Sequence, residues 1–319
     1  MAYVAGDTIT GALYNVLVNN SSSPFGYNHF AGTGSGVYGL GQTEIATVSG
    51  GDTTITAAQW NSLITGLINI GNHTNASITA RTAVETGDTI KIKAAVEADL
   101  ATVAAAIASG SPSATALTDN SLRTVTTGSA GWDGTATHET SVTFANANTM
   151  RHYFNAGGKI RCNIGIAATT NGDKDASYAD LGTALGNLDI GATTTLRSGS
   201  GETETSFATS TGFHDLGTSY TSLIKLTSDN ANYTDNNVEI FAKLDAAVGS
   251  AVTITVKFLW TDGANDTVFD SPNTSGVPAD NKTTPRVTST VIERHPNNSQ
   301  GLAAAIQSAS NAEVSNSTT

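Results

Sequence analysis

One cysteine, Cys162, is all the thiol this 319-residue chain holds. An intrachain disulfide is excluded, so stability has to come from packing or from assembly. Charge is scarce as well. Only 13% of residues are Asp, Glu, Lys or Arg, against roughly a quarter in an average domain. The formal net charge is −12, which argues against a nucleic-acid partner, because phosphate binding calls for a basic face. No apolar run approaches the roughly 20 residues that a membrane helix needs. No basic stretch followed by an apolar one marks an export signal. No membrane partner is expected, and the chain reads as made in a cytoplasm and not exported by the usual routes. Aromatic residues make up 6%.

Ser, Thr, Asn, Ala and Gly fill the gap. A polar, weakly charged surface suits many-copy assembly, because few long side chains lose freedom when copies pack together. The length leaves room for two or three domains, each able to bury a core.

A short phrase occurs three times near the start: Gly6-Asp7-Thr8-Ile9-Thr10, Gly51-Asp52-Thr53-Thr54-Ile55-Thr56 and Gly87-Asp88-Thr89-Ile90. An apolar helical pattern follows each one. Thr56 to Gln59 forms a capping box. Trp60, Leu63, Ile64, Leu67 and Ile68 then fall on one helical face. Tyr14-Asn15 of the first repeat aligns with Trp60-Asn61 of the second, and Leu17-Val18 with Leu63-Ile64. In the third, Val96, Leu100, Val103 and Ile107 make the stripe, in an Ala-rich helix expected to end at Gly110. Such short helices need each other or a neighbouring chain. Ser109 to Ser113, with Pro112 at its centre, is the linker candidate.

Beyond residue 118 the period changes to two. Val252, Ile254, Val256, Phe258 and Trp260 alternate with Thr253, Thr255, Lys257 and Leu259. Val238, Ile240, Ala242 and Leu244 alternate likewise, as do Ile160, Cys162, Ile164 and Ile166. Further strands are expected around Val142 to Phe144, Tyr220 to Leu226 and Arg286 to Ile292. Turn-rich segments separate them, as in an antiparallel sandwich. One short helix is expected from Asn146 to Asn155, with Met150, Tyr153 and Phe154 facing the sheet and Gly157 as its C-cap. Residues 294–319 hold no aromatic residue and little apolar content, so a neighbouring subunit is the expected support for them. The predicted fold class is α+β: a small N-terminal helical module (1–117), an antiparallel β-sandwich with one short inserted helix (118–293) and an extended C-terminal tail (294–319).

The motifs of enzymes are missing. The six histidines form no HExxH and no tight pair, and no CxxC exists, so no metal is expected. Gly32 to Gly41 is rich in small residues, but no Gly-Lys-Ser/Thr follows it, and it is not a phosphate cradle. No Gly-x-Ser-x-Gly elbow is present. The acidic loops at Asn171 to Asp175 and Asp262 to Asp266 lack the closing Glu of a calcium loop and read as Asx-rich turns. No catalytic residue and no cofactor is expected. Arg151, Lys159 and Arg161 form the one basic cluster, a solvated face or a partner for an acidic patch on another copy.

Three of these features together resemble the virion structural proteins of marine tailed phages, especially T4-like cyanophages. They are the Gly-Asp-Thr-Ile-Thr openings with an aromatic-Asn pair, the loop ending Tyr38-Gly39-Leu40-Gly41-Gln42, and the segment Met150-Arg151-His152-Tyr153-Phe154-Asn155-Ala156-Gly157-Gly158-Lys159-Ile160-Arg161. Family versions often carry Glu where Lys159 stands. The resemblance implies a non-enzymatic virion component, made in a host cytoplasm and partnered by other virion proteins and by its own copies. It leaves open a place in the tail, the neck, a fibre attachment or the capsid surface.

Tyr14, Trp60, Ile64 and Leu67 are the expected core of the helical module. Met150, Arg151, Tyr153, Phe154, Lys159 and Arg161 are expected to anchor the β-domain. The competing reading is a receptor- or glycan-binding module of a phage fibre, which needs an exposed aromatic platform. Trp132 and Tyr233 are its candidate rings.

Overall fold

The structure, a computed structural model, describes residues 9–32, 39–49, 54–74, 76–87, 93–108, 117–127, 132, 134–168, 172–230, 233–263, 286–296 and 310–318. Residues 6–8, 51–53 and 88–90 of the three phrases, residues 33–38, 171 and 264–266 of the loops considered above, the linker candidate with Gly110, and residues 297–309 and 319 of the tail lie outside the described residues. The chain divides into two compact units. The first is built from residues 1–118, 148–158 and 295–307, and the second from residues 119–147, 159–294 and 308–319.

The first unit holds helices α1 (Gly11–Asn19), α2 (Tyr27–Ala31), α3 (Ala57–Thr74), α4 (Lys93–Ala108) and α5 (Ala147–Asn155), apart from the latter's first residue. The capping box at the start of α3 is formed: Thr56 N donates to Gln59 Oε1 at 2.9 Å, and Gln59 N donates to Thr56 Oγ1 at 3.3 Å. The predicted apolar faces meet in one core. Tyr14, Leu17, Trp60, Leu63, Ile64, Leu67, Val96, Leu100 and Val103 are all buried in it, with Ile68 packed at its margin. Each buried large side chain contributes about 1.5–3 kcal/mol, which short helices lack when isolated.

The second unit is an α+β sandwich of two antiparallel sheets. Its strands are β1 (Leu117–Thr126), β2 (Thr135–Thr143), β3 (Lys159–Ala168), β4 (Leu188–Ile190), β5 (Thr195–Arg197), β6 (Thr203–Phe207), β7 (Thr221–Thr227), β8 (Asn237–Leu244), β9 (Thr253–Thr261), β10 (Arg286–Pro296) and β11 (Ser310–Thr318). The sheets run β1-β10-β3-β4-β5 and β11-β2-β9-β8-β7-β6. The predicted alternation places Val238, Ile240, Ala242 and Leu244 of β8, and Ile254, Val256, Phe258 and Trp260 of β9, on the buried face. The other face uses hydroxyl pairs across strands, as expected of a chain poor in charge. Ser141 meets Thr255, and Thr143 meets Thr253, each at 3.0 Å.

Ser289 of β10 joins the two sheets through the core. Its Oγ accepts from Trp260 Nε1 of β9 at 3.0 Å and lies 2.8 Å from His138 Nδ1 of β2. All three residues are essentially inaccessible to water.

Two elements depart from the sequence reading. Helix α6 (Gly172–Leu185) stands where an Asx-rich turn was expected. It buries Lys174, Asp175, Ser177 and Tyr178 beside Leu181, Ala184 and Leu185, so half its inward face is polar and no apolar period shows. Polar partners hold it. Lys174 pairs with Asp262 at 2.7 Å, Tyr178 OH donates to Thr261 O at 3.0 Å, and Asn236 Nδ2 donates to Ser177 Oγ at 3.1 Å. The second departure is the tail. Residues 310–318 pair antiparallel with β2, from Ser310 opposite Thr143 to Thr318 opposite Ala136. An edge strand draws its stability from the ladder, so a polar sequence suffices.

Ser289→Ala removes the acceptor of a buried indole N–H. It is expected to destabilise the sandwich by about 1–3 kcal/mol, read as a lower midpoint in urea unfolding. In the first unit, burial pushes His73 down from 6.5 to about 4, against a smaller opposing contribution from the Ala156 backbone. The unfolded chain therefore binds more protons than the native one between those values, so stability falls as pH drops from 6.5 towards 4. Urea unfolding at stepped pH should show His73→Leu gaining on the wild type by up to roughly 3 kcal/mol over that window.

Candidate assembly site

The repeated aromatic-Asn pair has a structural meaning that spacing alone did not disclose. Asn15, in α1, donates from Nδ2 to Val48 O at 2.8 Å and accepts from Val48 N at 2.9 Å. Asn61, at the matching place in α3, does the same to Val84, with both distances 2.9 Å. Val48 and Val84 each stand three residues ahead of the glycine of the next Gly-Asp-Thr phrase. Each helix thus straps down the extended segment that leads to the next repeat. Asn28 of α2 adds a third clip, on both polar groups of Ile45 at 2.8 Å. A carboxamide offers a donor and an acceptor side by side, as a paired β-strand does.

The aromatic member of each pair fills the core while the Asn faces the strap. Tyr14 and Trp60 are fully buried. Tyr14 OH donates to Gln59 O at 3.0 Å, tying α1 to the start of α3. Burial raises the Tyr14 phenol and pushes Tyr27 up to about 12. Counted without gaps from Gly51 and Gly87, Trp60-Asn61 falls on Val96-Glu97. The third repeat therefore has no Asn clip at that place, and Glu97 instead pairs with Lys93 on its own helix. A groove of about 690 Å³ runs between residues 42–46 and the Ala58, Ser62, Thr65 and Asn69 face of α3.

Helix α5 ends as predicted. Gly157 has φ +90°; its N–H reaches Phe154 O, and that of Gly158 reaches Tyr153 O. Met150, Tyr153 and Phe154 are buried. Residues 148–158, however, pack as part of the first unit, which corrects the expectation that they face the sheet. Asn155 Nδ2 donates to Gly39 O at 3.1 Å. His152 is buried over Gly41, where a Cβ would stand 2.8 Å from the ring. Arg151 is buried as well, with its guanidinium 3.3 Å from His152 Nε2. Burial lowers its pKa.

Arg161 belongs to the second unit and has a partner in its own chain. It holds Asp189 of β4 bidentately at 2.7 and 2.8 Å, and that hydrogen bond raises its pKa. Arg294 reaches the same carboxylate at 3.6 Å and Asp119 at 2.8 Å. The four charges form a ladder across β1, β10, β3 and β4. Lys159 lies half-buried at the start of β3, opposite Arg294.

Trp132 and Tyr233 are both buried; Trp132 packs against Tyr178 with ring centroids 5.7 Å apart. Neither offers an open ring. Cys162 is buried, and its thiol is pushed up by burial. Among the described residues, no group of three or more His, Cys, Asp or Glu side chains is placed to hold a metal ion. No helix among them is long and apolar enough to cross a membrane. No protein-family model, curated protein or solved structure matches the chain.

Asn61→Ala leaves the N–H and C=O of Val84 without their partner. The expected loss is about 1–2 kcal/mol, with Asn15→Ala costing a similar amount and the two adding in the double variant, since they serve separate straps. Urea unfolding of the three variants checks this; Asn61→Asp should fare no better than Ala, because it lacks the donor.

Proposed function

We propose that this chain is a non-enzymatic structural component of a tailed-phage particle, assembling in many copies. The observation that supports the reading furthest is the way main chain is bound in both units. Straps are clipped by Asn side chains in the first, and a C-terminal strand is laid on the β2 edge in the second. Both devices recognise extended backbone with little dependence on side-chain charge. They suit subunits that exchange arms with neighbours. The likeness of the repeat phrases and of the Met150 to Arg161 segment to virion proteins points the same way. So does the low-charge surface, which loses little side-chain freedom on packing. The partners are other virion proteins and further copies of the chain. The fibre-type binding reading loses its two candidate rings to burial.

The test is light scattering at micromolar concentration on the full chain and on a chain ending at Pro296, where β10 ends. A defined oligomer that the truncation dissociates is the expected result. A monomer in both forms would overturn self-assembly through the C-terminal arm.

A further inference from the structure

We propose that Lys174 and Asp262 condense into an intramolecular amide, a covalent bond between α6 and the end of β9. Lys174 Nζ lies 2.7 Å from Asp262 Oδ2, and the two side chains are 0% and 1% exposed. Amide formation between an amine and a carboxyl group needs proximity, fixed orientation and exclusion of water, and this pair is close and shielded from water. The flanking contacts hold both partners in place. Tyr178, one turn along from Lys174, donates to Thr261 O at 3.0 Å. Asn236 bridges the two segments, donating to Ser177 Oγ at 3.1 Å and accepting from Gly263 N at 3.0 Å. Tyr178, between Trp132 and Trp260 with ring centroids 5.7 and 6.0 Å away, supplies an aromatic surround. Groups fixed in this way react with an effective concentration far above any attainable in solution.

The reaction starts from the neutral amine and acid, because an ammonium has no lone pair to offer. Proton transfer from the ammonium to the carboxylate produces that neutral pair. The Nζ lone pair then attacks Cγ and the C–O π bond opens onto oxygen. Tyr178 OH lies 3.5 Å from Asp262 Oδ1, and its one proton can turn from Thr261 O to the oxygen as it gains charge. Collapse of the tetrahedral centre re-forms the carbonyl and breaks the other C–O bond. The departing hydroxyl takes a proton from nitrogen and leaves as water. Ammonium and carboxylate become amide and water, with no oxidant, reductant or further reagent. The bond would fasten the polar-faced helix to the sheet, giving a chain without disulfides a covalent resistance to unfolding.

Mass spectrometry of the purified full chain, followed over days after folding, tests this directly. The expected result is a loss of about 18 Da, one water. After denaturation and trypsin digestion, peptides 162–197 and 258–282 should then be joined, with no cleavage after Lys174. Asp262→Asn should reach the same product by losing ammonia, and Lys174→Ala should keep its full mass. Tyr178→Phe should lose water more slowly than the wild type. A wild-type chain that keeps its full sequence mass throughout and is cut after Lys174 overturns the proposal, whatever the variants do.

Discussion

Extended backbone carries a donor and an acceptor on every residue, and each must find a partner when it is packed against a protein surface. In this chain that requirement shapes both units. The first unit meets it with carboxamides, each of which takes the N–H and C=O of one strap residue at a time. The second meets it with two sheets, closing one edge with the chain's own C-terminal segment. Charged side chains play a smaller part. The ladder of Asp119, Arg294, Asp189 and Arg161 holds the register of four strands in one sheet, and hydroxyl pairs serve the other.

The same economy explains the composition. Asn, Ser and Thr are poor helix formers, and their numbers would read as loop or turn in an average protein. Here many are structural. Ser289 joins the sheets, Asn236 joins α6 to the end of β9, and Asn15 and Asn61 join helices to straps. A weakly charged sequence can in this way specify a single arrangement without disulfides, by placing polar groups such as these against their complements.

Where apolar residues recur with a clean period, the sequence was readable. The α3 stripe from Trp60 to Leu67, the α4 stripe from Val96 to Ile107, and strands β8 and β9 lie where alternation and spacing put them, and Gly157 closes α5 with the backbone its lack of Cβ permits. Other elements escaped, α2, β1 and β4 to β6 among them, and two show why. Helix α6 buries Lys174, Asp175 and Ser177, so its inward face carries no apolar period. Strand β11 takes its stability from β2's backbone, which leaves no mark on its own side-chain pattern. The partner of a helix face was likewise invisible: α5 showed its apolar stripe, but nothing in that stripe told which unit it would serve. The clip function of Asn15 and Asn61 had one legible trace, the constant offset of Val48 and Val84 from the following Gly-Asp-Thr.

The clips also set a chemical lifetime. A carboxamide can lose its nitrogen to water, and the carboxylate left behind has acceptors only. At Asn61 such an ageing event would turn the group that receives Val84 O into one that repels it, while adding negative charge to an already acidic chain. One slow reaction at one side chain would release a strap. The straps protect these amides by holding both of their ends, so the integrity of the repeat and the chemical survival of its asparagines depend on each other.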